Sequence, residues 1–121
     1  MKTVVVADDE TLITDFLAFF LEDAGYIVHV AQNGLEALEL VRKVSPDVVV
    51  TDYMMPLMTG LDLAVAMQTE PSTRDIPVIL ATAAQGAVAR TNSHLFAAVL
   101  DKPYAARALL VTIARLVPAD D

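Results

Sequence analysis

Short runs of β-branched residues that polar residues do not interrupt limit the fold of this chain more than any other feature. Four such runs occupy residues 3–6, 27–30, 47–51 and 77–81, and a weaker fifth occupies residues 97–100. A strand with one face in water alternates apolar and polar residues, whereas these valine-rich runs are apolar on both faces. The sequence therefore predicts a parallel sheet of five strands that is covered on both sides.

Helical patterns fill the gaps between these runs. In residues 11–24 apolar side chains recur with the i, i+3, i+4 spacing of a helix, which Gly25 can end. Asn33 can cap a second helix. Helices are also predicted over residues 34–44, 61–68 and 104–116. The apolar face expected of the first helix consists of Leu12, Ile13, Phe16, Leu17, Phe20, Leu21 and Ala24.

The strand–helix order repeats five times, which predicts a single α/β sandwich with right-handed crossovers. Polar residues break the periodicity in residues 84–94, so any helix there should be short. No linker, repeat or low-complexity segment is visible. The expected domain therefore spans residues 1–121, with 118–121 as a tail.

Composition narrows the classes of partner. The formal net charge is −8, and an acidic surface repels phosphate backbones and anionic lipid, so neither nucleic acid nor a membrane is an expected partner. The absence of cysteine excludes disulfides, zinc–thiolate sites and thiol nucleophiles, and it is compatible with a cytoplasmic location. No run approaches the roughly 20 apolar residues that a membrane-spanning helix needs.

Polar side chains stand at the ends of four predicted strands. Asp8 and Asp9 follow the first strand, Asp52 the third, Thr82 the fourth and Lys102 the fifth. Open α/β sheets bind ligands at the carboxyl ends of their strands, at the point where the strand order reverses. If the order is 2-1-3-4-5, the first and third strands adjoin there, and these five side chains should converge.

The chemistry of this set points to phosphoryl transfer. Two like charges about 4 Å apart repel by about 4 kcal/mol at an effective dielectric constant near 20, so gathered carboxylates need a cation. Mg²⁺ suits an all-oxygen site with few protein ligands, and Lys102 offers a second, compact positive charge. Each residue alone has an ordinary reading, such as a helix cap for Asp8. Together they form a pocket for a phosphoryl group beside a carboxylate nucleophile.

Four short motifs carry a family resemblance. They are Asp8-Asp9 after the first strand, the D-x-x-M-P-x-M-x-G run from Asp52 to Gly60, Thr82-Ala83, and Lys102-Pro103-Tyr104. In this order, and over essentially the whole chain, the sequence resembles the receiver domain of bacterial two-component response regulators. The resemblance implies a flavodoxin-like (βα)5 three-layer sandwich whose five-stranded parallel sheet has the order 2-1-3-4-5.

The resemblance also implies roles for the site residues. Asp52 would attack a phosphohistidine on a sensor histidine kinase or a histidine phosphotransfer protein. Mg²⁺ would be ligated by Asp9, Asp52 and the Met54 carbonyl, with Asp8 holding it through water. The phosphoryl oxygens would be bound by Thr82, Lys102 and the Ala83 amide. The peptide before Pro103 would be cis, which would direct Lys102 into the pocket.

The implied output is a change in a protein-interaction surface, with a downstream target on the face of the fourth helix, fifth strand and fifth helix. The chain is not expected to be an enzyme beyond its own phosphoryl transfer and self-hydrolysis. Self-hydrolysis should be slow, because neither Met54 nor Ala84 can act as a base or orient water. The family's usual aromatic residue three places before the site lysine is Val99 here, which predicts an altered readout of phosphorylation.

Other functions fit parts of this pattern. A pseudo-receiver that only binds proteins is favoured by Val99 but not by the intact site residues. A haloacid-dehalogenase-like phosphatase uses similar groups, but it has D-x-D at the first strand and a cap domain, for which 121 residues leave no room. A flavin-binding flavodoxin would need a Ser/Thr/Gly-rich first loop to hold phosphate.

Overall fold

A computed structural model of the chain describes residues 1–83 and 90–118. Residues 84–89 lie outside this part of the chain, so the expectation that any helix in residues 84–94 is short falls largely on residues that are not described. The last three tail residues also lie outside it. The described elements are β1 Thr3–Ala7, α1 Thr11–Asp23, β2 Ile27–Ala31, α2 Gly34–Val44, β3 Val48–Asp52, α3 Gly60–Thr69, β4 Val78–Thr82, a 3₁₀ turn Ser93–Leu95, β5 Ala98–Asp101 and α4 Ala106–Leu116.

The five strands form one parallel sheet in the order β2-β1-β3-β4-β5, which confirms the predicted topology. Each strand extends one residue beyond its predicted end, so that Asp52 and Thr82 are the last residues of β3 and β4. The last helix begins two residues later than predicted, because the backbone of Ala105 is extended and serves as the N-cap.

The sheet is covered on both sides, and neighbouring residues of one strand belong to different cores. Val5 of β1 packs in a cluster with residues of α2 and α3, whereas Val4 and Val6 pack in a second cluster with residues of α1 and α4. All three valines are at most 1% exposed. The prediction that the valine-rich strands are buried on both faces is therefore confirmed for β1, β3 and β4. It fails for β2, because that strand lies at the edge of the sheet and Ile27 is 43% exposed.

Helix α1 departs from the predicted apolar face. Its buried residues are Thr14, Leu17 and Leu21, whereas Leu12 is 85% and Phe16 56% exposed. Apolar residues occupy most of the helix circumference, so the i, i+3, i+4 rule could not select the side that faces the sheet. The predicted apolar face was therefore wrong in including Leu12, Phe16 and Ala24, which are exposed.

No helix among the described residues is both long enough and apolar enough to cross a membrane.

The orientation of α1 can be tested with two leucines of the same helix. Leu17→Ala should lower the free energy of unfolding by about 2–5 kcal/mol, because it leaves a cavity in the core. Leu12→Ala should lower it by less than about 0.5 kcal/mol, because that side chain is already in water. Urea unfolding followed by circular dichroism measures both. Equal losses for the two variants would contradict this orientation of α1.

Candidate functional site

The register of the sheet brings the predicted polar residues to one edge. Ala7 of β1 pairs with Thr51 of β3. The residues that come next in the chain, Asp8 and Asp52, therefore lie side by side. On the other side of β3, Asp52 pairs with Ala81 of β4. Thr82 then pairs with Asp101, the residue before Lys102. The convergence expected from the strand ends is therefore present.

Three carboxylates form the centre of the site. Asp8, Asp9 and Asp52 each offer an oxygen within 4.8 Å of the others. Asp8 is buried, Asp52 is half-buried and Asp9 is exposed. The cluster thus opens to solvent on the Asp9 side while its base is shielded.

Backbone amides hold two of these carboxylates in place. The Glu10 amide donates to Asp8 Oδ1 at 3.0 Å, and the Tyr53 amide donates to Asp52 Oδ1 at 2.8 Å. In addition, the Asp8 amide donates to the Ala31 carbonyl at 3.1 Å, which ties the end of β1 to β2. Sequence reasoning missed the Glu10 and Tyr53 amides, because a backbone donor carries no signal in residue type.

Lys102 supplies the positive charge. Its Nζ lies 3.2 Å from Asp8 Oδ2 and 3.4 Å from Asp52 Oδ1, so it bridges the two carboxylates. Its amide donates to the Thr82 carbonyl at 2.8 Å, which fixes the chain as it leaves the sheet. The Lys102–Pro103 peptide is cis, as the resemblance implied.

The electrostatics of the site follow from burial and crowding. Burial is the main cause that raises the pKa of Asp52, and the charge of Asp8 adds to it, while Lys102 and the Tyr53 amide oppose it. Burial disfavours the charged form of Lys102, but the two carboxylates outweigh it and its pKa is raised. The half-buried phenol of Tyr104 beside the site also has a raised pKa, chiefly through burial.

The remaining predicted residues line the same edge at different depths. Thr82 is fully buried, whereas Ala83 and Met54 are exposed. Gly60, at the start of α3, lies directly against β3: a Cβ there would be 2.3 Å from the Asp52 carbonyl oxygen. Ala84 lies outside the described residues. The structure thus brings together Asp8, Asp9, Asp52 and Lys102, with Thr82 at the end of the adjacent strand. The role of Met54 stays a prediction.

The donor set fits a hard divalent cation. All the side-chain oxygens of the cluster belong to carboxylates, and one ammonium opposes three of them, which leaves two negative charges uncompensated. Mg²⁺ prefers oxygen ligands and keeps several of its waters, which the open Asp9 side allows. The residues present therefore fit Mg²⁺.

Comparison with known proteins agrees with this geometry. The family model described as "Response regulator receiver domain" matches residues 4–114. Response regulator MprA of Mycobacterium sp. strain KMS is 35% identical over 117 residues, which cover 94% of this chain and 50% of MprA. The phosphate regulon transcriptional regulatory protein PhoB of Pseudomonas aeruginosa is 37% identical over 82 residues, which cover 68% of this chain and 36% of PhoB. The chain thus spans half or less of these curated relatives.

Solved structures share the whole fold. The chemotaxis response regulator CheY4 of Vibrio cholerae superposes with a TM-score of 0.89 at 29% identity, and the match covers 97% of this chain and 99% of CheY4. The non-phosphorylated HemR receiver domain from Leptospira biflexa superposes with a TM-score of 0.88 at 27% identity, and the match covers 100% of this chain and 98% of the HemR chain. The described elements are therefore similar to complete domains of known structure.

The raised pKa of Asp52 leads to a prediction about stability. When the pKa of Asp52 is higher in the folded than in the unfolded chain, the folded chain binds the proton more tightly. Protonated Asp52 therefore stabilises the fold at low pH, and this stabilisation is lost as the pH rises from the unfolded pKa through the folded pKa. At neutral pH without Mg²⁺ the charged Asp52 therefore destabilises the fold, and Asp52→Asn should raise the free energy of unfolding. The gain should fade towards about pH 4, where the unfolded carboxyl is protonated.

The matched control is Asp15→Asn, which changes an exposed carboxylate on α1 and should have little effect at either pH. Urea unfolding of the three proteins in chelator, at neutral and at acidic pH, measures the difference. An Asp52→Asn variant that is less stable than the unsubstituted chain at neutral pH would contradict the crowding of charge at this site.

Proposed function

The chain belongs to the response regulator receiver domain family, whose members accept a phosphoryl group in two-component signalling, and from that premise we propose that Asp52 is the phosphoacceptor. The observation that carries the proposal is the position of Lys102 Nζ, within 3.4 Å of Asp52 and of Asp8. That ammonium stands where the charge of an incoming phosphoryl group would need compensation.

The proposed reaction is a single displacement. An Asp52 carboxylate oxygen forms a bond to phosphorus as the N–P bond of the donor's phosphohistidine breaks, and the donor histidine leaves with the bond's electron pair. The nucleophile must be ionised, and Lys102 and the Tyr53 amide both favour the charged form of Asp52 against the effect of burial. Lys102 and the Tyr53 amide thus orient the nucleophile and offset part of the pKa rise that burial causes. No separate general base is required, because an ionised carboxylate has no proton to lose before it attacks.

Receiver domains bind Mg²⁺ at an acidic pocket, and in this chain we assign its ligands to Asp9, Asp52 and the Met54 carbonyl, with Asp8 acting through water. The support is the cluster of carboxylate oxygens within 4.8 Å, together with the two uncompensated charges. Bound Mg²⁺ would neutralise the charge that accumulates on the phosphoryl oxygens.

The proposed phosphoryl oxygen ligands are Lys102, the Thr82 hydroxyl and the Ala83 amide. Thr82 is the last residue of β4 and lies one residue beyond Ala81, the partner of Asp52, and Ala83 follows it. Both therefore lie on the side of β3 opposite Asp8. Lys102 is already fixed through its amide on the Thr82 carbonyl. Three kinds of donor would then surround the transferred group.

Receiver domains interact with histidine kinases and with downstream effectors, and for this chain we propose a protein donor that docks over the site. Large apolar side chains stand exposed near the edge where Asp52 opens: Leu12 and Phe16 of α1, and Met54 and Leu57 after β3. Leu57 is 76% exposed in a left-handed backbone conformation. Such residues around a charged pocket favour a protein surface over a small donor.

The downstream target is proposed to bind the face that includes β5 and α4, the last helix of the chain. The family's fourth helix, which would complete this face between β4 and β5, is expected largely on residues outside the described part. Val99 on β5 is 39% exposed and pairs with Leu80, and Phe96 is buried in the core at the opposite end of β5. Neither supplies an aromatic ring beside Thr82, so the altered readout stays a prediction. A cytoplasmic location and the absence of nucleic-acid or membrane contacts by this chain also stay predictions.

The alternative functions are not favoured. The family match and the fold are those of receiver domains, and the aspartates, Thr82 and Lys102 that a pseudo-receiver could lose are in place. A phosphatase of the haloacid-dehalogenase type is not favoured, because the family model that matches residues 4–114 is that of the response regulator receiver domain.

The phosphoacceptor is tested with acetyl phosphate and Mg²⁺, followed by the mass of the intact protein. The unsubstituted chain should gain the mass of one phosphoryl group, Asp52→Asn should gain none, and Lys102→Met should gain it at least tenfold more slowly, because the transition state loses a charge. Asp15→Asn should match the unsubstituted chain. An adduct on Asp52→Asn, or none on any protein, would contradict the proposal.

The lifetime of the phosphorylated chain is the second test. The exposed side chain of Met54 lies two residues after Asp52 and cannot orient water, so loss of the adduct in Mg²⁺ should be slow. Met54→Gln introduces a hydrogen-bonding group at the same place and should shorten the lifetime severalfold, whereas Met54→Leu should leave it unchanged. Loss that is fast in the unsubstituted chain, or equally slow in all three, would show that this side chain does not control water.

A further inference from the structure

The loop between β3 and α3, residues 53–59, is closed by its own backbone. The Gly60 amide donates to the Tyr53 carbonyl at 2.8 Å, which joins the two ends of the loop. At its tip the Met58 amide donates to the Pro56 carbonyl at 2.8 Å, around Leu57 with φ of 71°. This tight turn fixes Met58 relative to Pro56 at the tip of the loop.

The start of α2 presses against this loop through a residue that has no side chain. A Cβ on Gly34 would lie 2.2 Å from the Met58 carbonyl oxygen, 2.5 Å from Met58 Cβ and 2.8 Å from the Met58 carbonyl carbon. Two of these three atoms belong to the backbone, so no side-chain rotation could relieve the overlap. A glycine is therefore required at position 34 because the start of α2 lies so close to Met58 of the loop. Its backbone is not in the left-handed conformation that would itself favour glycine.

The two sides of the contact differ in how firmly they are held. Helix α2 is anchored by buried Ala37, Leu38 and Val41, and Asn33 caps it by accepting from the Glu36 amide at 2.8 Å. The loop is held in the same core by one buried side chain, that of Met55, and presents exposed residues at its tip, including Leu57 at 76%. If the contact were forced apart, the loop would move rather than the helix.

We propose that Gly34 is a positioning residue for the metal site, because its bare Cα lets α2 hold the loop that carries the Met54 carbonyl. A displacement of Met58 would pass through Thr59 to Gly60, whose amide binds the Tyr53 carbonyl in the residue before Met54. Gly60 also lies against the Asp52 carbonyl, so the same displacement reaches the nucleophile. The inference rests on the proposed Mg²⁺ ligands and adds a residue that touches none of them.

The test is the affinity of Gly34→Ala for Mg²⁺, measured by titration calorimetry without any phosphodonor. Displacement of a group that orients a metal ligand weakens metal binding by about tenfold or more, and that is the loss expected here. In the same metal-free protein, the Gly60 amide should exchange its hydrogen faster, because its bond to Tyr53 is loosened.

Gly25→Ala is the matched control. Gly25 has φ of 101°, so alanine there strains the backbone and destabilises the fold, yet an added Cβ meets nothing within 4 Å. Gly25→Ala should therefore lose stability while its Mg²⁺ affinity stays within twofold of that of the unsubstituted chain. A comparable loss of affinity in both variants would make the effect one of general stability and overturn the inference.

The outcomes for the two proposals are separable. Unchanged Mg²⁺ affinity in folded Gly34→Ala overturns the role of Gly34 while leaving Asp52 as phosphoacceptor, whereas failure of the unsubstituted chain to bind Mg²⁺ overturns both. If Gly34→Ala does not fold, Asn33→Ala removes the cap of α2 without adding an atom to the contact. It should weaken Mg²⁺ binding severalfold, and unchanged affinity would contradict the inference.

Discussion

Repulsion among Asp8, Asp9 and Asp52 is the constraint on which the rest of the structure depends. Three carboxylates with oxygens within 4.8 Å of one another would separate in a flexible chain. Here they cannot, because Asp8 directly follows β1, Asp52 is the last residue of the adjacent strand β3, and backbone amides hold both carboxylates. Lys102 offsets part of the charge, and what is left over is the driving force for binding a cation and then a phosphoryl group beside it.

The two apolar cores supply the rigidity that this arrangement needs. Val5 faces one core while Val4 and Val6 face the other, so a slip of β1 by one residue would move every side chain into the opposite core and disrupt the packing of both. The register therefore places Asp8 beside Asp52 as firmly as it buries the valines. The packing of the valines thus both stabilises the fold and sets the geometry of the site. The apolar burial in the two cores offsets the repulsion among the carboxylates.

The sequence was sufficient for the strands and for the polar residues that gather at their ends, because both depend on a local pattern: uninterrupted β-branched runs, or a polar residue at a strand end. The order of the strands came from the family resemblance, and no local pattern specifies it. The sequence failed where neighbours in space decide. Leu12 and Phe16 fit a helical apolar face, but packing of α1 on the sheet selected Leu17 and Leu21. The close approach of Gly34 to the loop after β3 was likewise invisible, because a glycine in an ordinary conformation looks like any helix start.

The central claim is that one constellation at the strand ends holds both Mg²⁺ and the phosphoryl group. A crystal structure of the chain grown with Mg²⁺ and beryllofluoride, an analogue of an acyl phosphate, tests it most directly. The account predicts beryllofluoride on Asp52, with fluorines contacting Lys102 and Thr82 and with Mg²⁺ bound by Asp9, Asp52 and the Met54 carbonyl. Beryllofluoride on another residue, or Mg²⁺ held away from these carboxylates, would contradict it.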